Sequence, residues 1–263
     1  MKTIAFANQK GGVGKTTTAI NMASALSRMG FKILLVDIDP QGSCSIGVGA
    51  ENSLDNKTPS MCELLTSEKT TIHQVIQKRD SFDIIPAGNS LALAEMKMSM
   101  SGAKEFKLRK KIQEFPLSYD FILIDCPPTF GTLSINAFVA SDFIVMPLQL
   151  GYFALEGVSN FIETLNFVNR EISSVINHET KILGVLFTFH DTRTTLSRMI
   201  KEKVQSALGD LIFDVAIPVN IKLNEAQAHH KPIFEYDVTC TGAIGYFTLA
   251  TEIIDRLKSE RFK

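Results

Sequence analysis

Short unbroken apolar runs alternate along this chain with longer segments in which apolar residues recur every three or four positions. Seven runs read as strands: Thr3–Ala7, Lys32–Val36, Phe82–Ile85, Phe121–Ile124, Phe143–Met146, Ile182–Phe189 and Val215–Ile217. Most lack polar alternation, the pattern of strands covered on both faces in a parallel sheet. Helical patterns lie between them, over Lys15–Met29, Thr71–Lys78, Leu91–Met100, Phe106–Phe115, Leu133–Val139, Leu155–Ile172, Thr195–Ala207 and Gly242–Lys258. Within Leu155–Ile172, positions 155, 158, 161, 162, 165, 168 and 172 keep one stripe apolar. This alternation predicts an α/β fold, a doubly wound, mostly parallel sheet with helices on both faces and right-handed crossovers. No repeat of about 20–50 residues breaks the pattern, and no low-complexity linker divides it, so residues 1–263 read as a single domain. Gly42–Pro59, richer in Gly, Ser and Asn, reads as a loop. Met96, Met98 and Met100 read as core filling or a helix-packing surface.

Composition narrows the class. Hydrophobic residues are 45% and charged residues 21% of the 263, which excludes a largely disordered chain. Lys and Arg number 27 against 28 Asp and Glu, a formal net charge of −1. That excludes a polycationic coat protein but leaves room for a local basic patch, which sets the field a phosphate feels. Cys44, Cys62, Cys126 and Cys240 are widely spaced with no CxxC, so reduced thiols are expected, not a zinc knuckle or a disulfide scaffold. The N-terminal apolar run is too short for a secretory signal. No stretch approaches the ~18 apolar residues of a membrane span. A soluble cytoplasmic protein is expected.

The strongest chemical signal is Asn8-Gln9-Lys10-Gly11-Gly12-Val13-Gly14-Lys15-Thr16-Thr17, between a strand and a helix. Glycines at 11, 12 and 14 let the backbone wrap an anion with N–H groups inward, and the helix N-terminus adds its partial positive charge. The stretch Gly11–Thr17, Val13 and Thr17 included, is the expected nucleotide-binding loop. Lys15 reaches the β- and γ-phosphates, and the Thr16 hydroxyl is a ligand for Mg²⁺. Two strands end in acids that a doubly wound sheet gathers at the same edge: Asp37-Ile38-Asp39-Pro40-Gln41-Gly42 and Asp125-Cys126-Pro127-Pro128. Asp37, Asp39 and Asp125 therefore read as metal and water ligands beside the phosphate loop.

The loop departs from GxxxxGK[ST] at Gln9 and places a second lysine, Lys10, at its start. This KGGxGK[ST] pattern resembles the deviant Walker A class of P-loop ATPases, which holds ParA, MinD and the nitrogenase iron protein. The resemblance implies ATP and Mg²⁺ as cofactors and a trans role for Lys10, reaching the partner's nucleotide across a dimer. It implies that Asp39 places the attacking water, that Asp125 holds Mg²⁺ through water and that Asp37 supports the metal shell. Cys126 is expected to be a plain thiol. Further ordered stretches resemble the ParA/Soj partition ATPases over about residues 1–255: Pro147-Leu148-Gln149, Tyr152–Gly157, Asp191–Ser197 and Ile217–Ala226. The last contributes Pro218 and Asn220 as expected nucleotide contacts.

That resemblance implies a cycle: an ATP-driven sandwich homodimer, non-specific DNA binding, and slow hydrolysis stimulated by a ParB-like partner. Chromosome or plasmid segregation is the implied task. The alternatives are a ParA-like positioner of another cargo and a MinD-like membrane-cycling ATPase. The C-terminal segment Ile253–Lys263 is expected to pack on the domain, since Asp255 and Glu260 dilute a membrane-binding face. Phosphate-directed DNA binding points to Arg193, Arg198, Lys201, Lys203, Lys222 and Lys231. Three stretches depart from the family: Val219 where arginine is common, Asn224-Glu225-Ala226-Gln227 where Ser-Glu-Ala-Pro is common, and Thr239-Cys240-Thr241 where an arginine usually falls. A second basic run, Lys104–Lys111, reads as a solvated helix face or a compensating phosphate contact.

Overall fold

The computed structural model describes residues 1–50, 58–88, 90–114, 118–190 and 195–259, the side chains at 195–198 excepted. All seven apolar runs are strands: β1 (Lys2–Phe6), β2 (Ile33–Asp37), β3 (Asp83–Ile85), β4 (Phe121–Asp125), β5 (Phe143–Gln149), β6 (Lys181–His190) and β7 (Ile212–Pro218). They form one sheet in the order β3-β2-β4-β1-β5-β6-β7, every pair parallel. The chain leaves central β1 for one side of the sheet, returns through β4, and crosses to the other side at β5. Such a change of direction opens a crevice at the carboxyl ends of the strands, where ligands bind.

The helices are α1 (Lys15–Arg28), α2 (Ser43–Gly47), α3 (Met61–Thr66), α4 (Ile72–Val75), α5 (Leu91–Ser99), α6 (Lys107–Gln113), α7 (Thr132–Ala140), α8 (Ala154–Glu171), α9 (Thr195–Leu208), α10 (Ile221–Ala228), α11 (Ile233–Tyr236) and α12 (Thr241–Lys258). The pleat sends alternate strand residues to opposite faces. Ala5, Leu34, Ile122 and Ile144 join Leu64, Leu91, Leu133 and Phe161 on one face. Ile4, Phe6, Leu35, Leu123 and Val145 join Ile20, Leu26, Tyr246 and Leu249 of α1 and α12 on the other.

Four local readings change. The Gly42–Pro59 loop opens with a helix, α2, and residues 51–57 lie outside the described residues. The expected helix Thr71–Lys78 is one turn, because Gln77 exchanges both backbone hydrogen bonds with Ile84 and leaves the helix. The methionine patch divides: Met98 is buried, whereas Met96 and Met100 are exposed. The cations of Lys104–Lys111 are largely committed to the fold. Buried Lys111 donates to the carbonyls of Glu68 and Thr70, Arg109 to that of Val139, and Lys104 to that of Ser99, while Lys110 pairs with Glu68.

The C-terminal helix α12 packs on α1 and β7, burying Tyr246, Leu249, Ala250 and Ile253. It also completes the sheet edge. Between the pairs Val185–Ile212 and Phe187–Ala216, β7 carries two more residues than β6, a bulge that takes backbone groups off the ladder. Glu252 accepts from the freed N–H groups of Asp214 and Val215. One turn later Arg256 pairs with Glu252 at 2.8 Å, donates to the carbonyls of Leu183, Asp210, Leu211 and Ile212, and lies 4.1 Å over the Phe213 ring. All four cysteines are free thiols. Among the described residues no helix is long and apolar enough to cross a membrane.

Candidate nucleotide site

The loop from β1 to α1 has its glycines where the backbone needs them: Gly12 and Gly14 have φ of 71° and 84°, in the left-handed region. Gly14 is the N-cap of α1, and no side chain caps that end. The first-turn N–H groups of α1 are therefore directed at whatever fills the loop. Lys15 begins the helix, is 7% exposed, and donates from Nζ to the Lys10 carbonyl at 3.1 Å. Burial pulls its pKa down, and the charge of Asp125 opposes this. Lys10 has its side chain at the surface.

Parallel register brings the acids to this loop. Phe6, the last residue of β1, is level with Asp125, and Asp37 is level with Asp125 on its other side. Thr16 Oγ1 donates to Asp125 Oδ2 at 2.7 Å, while Asp125 Oδ1 is buried and unpartnered. Burial, with the neighbouring Asp37 charge next, pushes the Asp125 carboxyl well up. Burial likewise raises Asp37 to about 6, against the pull of its bonds to Ser45 and Asp39. Asp37 accepts from the Ser45 N–H and hydroxyl and from the Asp39 N–H. It thereby holds α2 and the Asp39 turn together. Asp39 lies on the cleft wall and accepts from the Gln41 N–H at 2.9 Å.

A bare buried carboxylate oxygen beside a threonine hydroxyl fits a hard divalent cation. Among the described residues no three His, Cys, Asp or Glu side chains gather as a metal cluster. That sparse oxygen set suits Mg²⁺, which keeps its waters and takes one or two protein ligands with the phosphates of a substrate.

The loop floors an open cleft of about 580 Å³. Its walls are Asp39 and Gln41, then Ser43, Ile46 and Gly47 of α2, Pro128 after β4, Phe189 of β6, and Gln227 and Ala228 of α10. A cleft of about 660 Å³ at the far edge is lined by Asp210, Asp214, Glu252 and Asp255 against Lys201 and Arg256. That acidic excess disfavours a phosphate ligand, so the chemistry selects the former cleft.

The structure brings together Gly11, Gly12, Val13, Gly14, Lys15, Thr16, Thr17, Asp37, Asp39 and Asp125. It does not bring Pro218 and Asn220 onto the cleft wall. Pro218 ends β7, and Asn220 caps α10 through the Lys222 N–H while donating to Thr241. Of the basic candidates, Arg193 and the side chain of Arg198 lie outside the described residues. Lys201 is half-buried with Nζ 6.0 Å from the Phe187 ring centroid, and Lys203 and Lys231 are exposed. Lys222 is paired with Glu225 at 2.8 Å.

Sequence reasoning missed Phe189, Gln227 and the α2 residues. Gln227 stands where the resembled family commonly has proline, and that departure is the one sequence signal that points to it. Phe189 has φ of +50°, a region costing a bulky residue roughly 1–3 kcal/mol.

A parallel sheet with a glycine loop and lysine after β1, and an acid at the end of the adjacent strand, defines a P-loop NTPase, and the second lysine at the start of the loop, Lys10, makes it one of the deviant Walker A type. A family profile described as an AAA domain matches residues 1–182. The chromosome-partitioning ATPase Soj of Treponema pallidum is 41% identical over 257 residues, covering 97% of this chain and 98% of that protein. The chromosome partitioning protein ParA of Caulobacter vibrioides is 35% identical over 266 residues, covering 100% and 97%. Among solved structures, cobyrinic acid a,c-diamide synthase from Mycobacterium smegmatis, with a bound ATP analogue and magnesium, superposes with a TM-score of 0.81 at 30% identity, over 98% of this chain and 96% of that one. The chain belongs to the ParA/Soj family of partition ATPases.

Proposed function

We propose that this protein is an ATP-dependent switch of the ParA type, which converts ATP and water to ADP and phosphate with Mg²⁺ and so moves chromosome or plasmid DNA. The observation that carries this reading is the convergence, on one cleft, of an uncapped glycine loop, a buried Lys15 and the Thr16–Asp125 pair. The loop amides and Lys15 bind the β- and γ-phosphates. Thr16, and Asp125 through water, hold Mg²⁺, which neutralises phosphate charge when bound. Asp37 supports that shell by fixing the turn that carries Asp39. Asp39, on the cleft wall, orients the attacking water.

Lys10 gives the switch its assembly step. Its exposed side chain reaches the nucleotide of a second copy, so ATP becomes part of a homodimer interface. The dimer binds DNA through phosphates without sequence preference, using Lys201, Lys203, Arg193 and Arg198, with Lys222 a lesser contributor because of its bond to Glu225. A ParB-like protein stimulates hydrolysis and release. The names and full-length coverage of the T. pallidum and C. vibrioides relatives support this task. Light scattering with ATP and with ADP, followed by DNA binding across a salt series, tests the reading. A dimer and a salt-sensitive DNA complex in ATP alone are expected. A protein that stays monomeric and off DNA in ATP overturns it.

A further inference from the structure

We infer that Phe189 and Gln227 form the nucleoside end of the cleft, Phe189 as a plate against the base and Gln227 as a polar clamp; this rests on the nucleotide reading above. The glycine loop accounts for the phosphates alone, and the cleft of about 580 Å³ is large enough for a whole nucleotide. Among the described residues lining it, Phe189 is the one aromatic.

Its placement is imposed by the loop. The Thr188 hydroxyl donates to the Val13 carbonyl at 2.9 Å and pins the end of β6 to the phosphate loop. Phe189 then turns to φ +50°, which lays its ring against Gly14, 3.6 Å from where a Cβ would stand. An ordinary extended residue continues a strand. This one breaks the register between Phe187 and His190, inside the strand, and holds a large ring on a cleft wall at 38% exposure. A strained, partly exposed aromatic is retained where a ligand covers it, and a base offers a flat π-face to any ring.

Gln227 faces the same space from α10. Its Nε2 donates to the Thr17 hydroxyl at 3.2 Å, which fixes the amide at the end of the phosphate loop. That bond uses one N–H. A second N–H and the carbonyl oxygen make an adjacent donor and acceptor, the pair that sugar hydroxyls and base edges take. Gln227 stands where the resembled family commonly has proline, so the clamp belongs to this chain.

The chain contains no tryptophan, so Phe189→Trp installs a single fluorophore at the plate. ATP and ADP are expected to quench its emission. Inorganic tripolyphosphate, which fills the phosphate loop and has no base, is expected to bind without quenching. In calorimetry, Gln227→Ala and Phe189→Ala are expected to weaken ATP about tenfold and leave tripolyphosphate unchanged. Equal quenching by ATP and tripolyphosphate, or equal weakening of both ligands, overturns the inference, since the two residues would then act on the phosphate loop. Binding of ATP by both variants at wild-type affinity also overturns it and leaves the nucleotide reading standing. A wild-type chain that binds neither ligand overturns both.

Discussion

Asp125 commits one oxygen to Thr16 and leaves the other buried and bare, level with a second buried acid on the neighbouring strand. Two such carboxylates raise each other's cost of ionisation, a cost that a divalent cation removes. Asp125→Asn is therefore expected to stabilise the nucleotide-free protein by roughly 1–2 kcal/mol while abolishing Mg²⁺-dependent phosphate release; urea denaturation and a phosphate assay measure the two arms. Lys15→Ala is expected to weaken ATP about 100-fold, near 2.7 kcal/mol, read by calorimetry. On the proposal that Asp39 places the attacking water, Asp39→Ala should keep ATP bound and accumulate the dimer; a monomeric Asp39→Ala in ATP would remove that proposed role. Lys10→Ala should bind ATP as a monomer and fail to dimerise in light scattering. At this scale the sequence is most legible where chemistry is contiguous. Lys10 to Thr17 is one string, and Asp37, Asp39 and Asp125 each follow an apolar run. Phe189 and Gln227 are legible only after folding, because β6 and α10 bring them to the loop from 175 and 210 residues away.

Elements tell a similar story. The seven strands are readable because strands with both faces covered are unbroken apolar runs. Helix α10 is not, since Ile221–Ala228 is short and without a strong apolar stripe; its start depends on the Asn220 cap. Helix α2 follows Gly42 in the left-handed region and is held by the bonds from Ser45 to Asp37, a tertiary contact that composition cannot announce. The Thr71–Lys78 pattern loses its second half to a backbone exchange with β3. At the far edge, α12 serves β7 through two side chains one turn apart. Arg256→Ala removes the donors for four backbone carbonyls and the partner of Glu252, and is expected to cost about 2–3 kcal/mol, seen as a lower urea midpoint with unchanged ATP affinity. Gly184→Ala should destabilise through the same corner, since a Cβ there would stand 2.5 Å from the Phe213 ring.

For the whole molecule, the near-neutral charge takes a local meaning. The acids beside the loop line the nucleotide cleft or stand behind it, and within the Lys104–Lys111 run Lys111 and Arg109 are bonded to backbone carbonyls of the fold. Val219 is 65% exposed at the end of β7, where the resembled family commonly has arginine. Val219→Arg is expected to tighten DNA binding in ATP and to steepen the slope of log affinity against log salt by about one, measured by fluorescence anisotropy. Alternation of strand and helix announces the fold class, but not the order β3-β2-β4-β1-β5-β6-β7, which depends on crossovers that only long-range packing selects. The bulge of β7 then bears on how copies meet. An edge strand with unsatisfied backbone is a template on which a second sheet can grow. Here Glu252 takes the N–H groups of Asp214 and Val215 and Arg256 the carbonyl of Ile212 from within the same chain. The rim at β7 is thus less open to strand pairing with another chain, a route to aggregation that the bulge would otherwise expose.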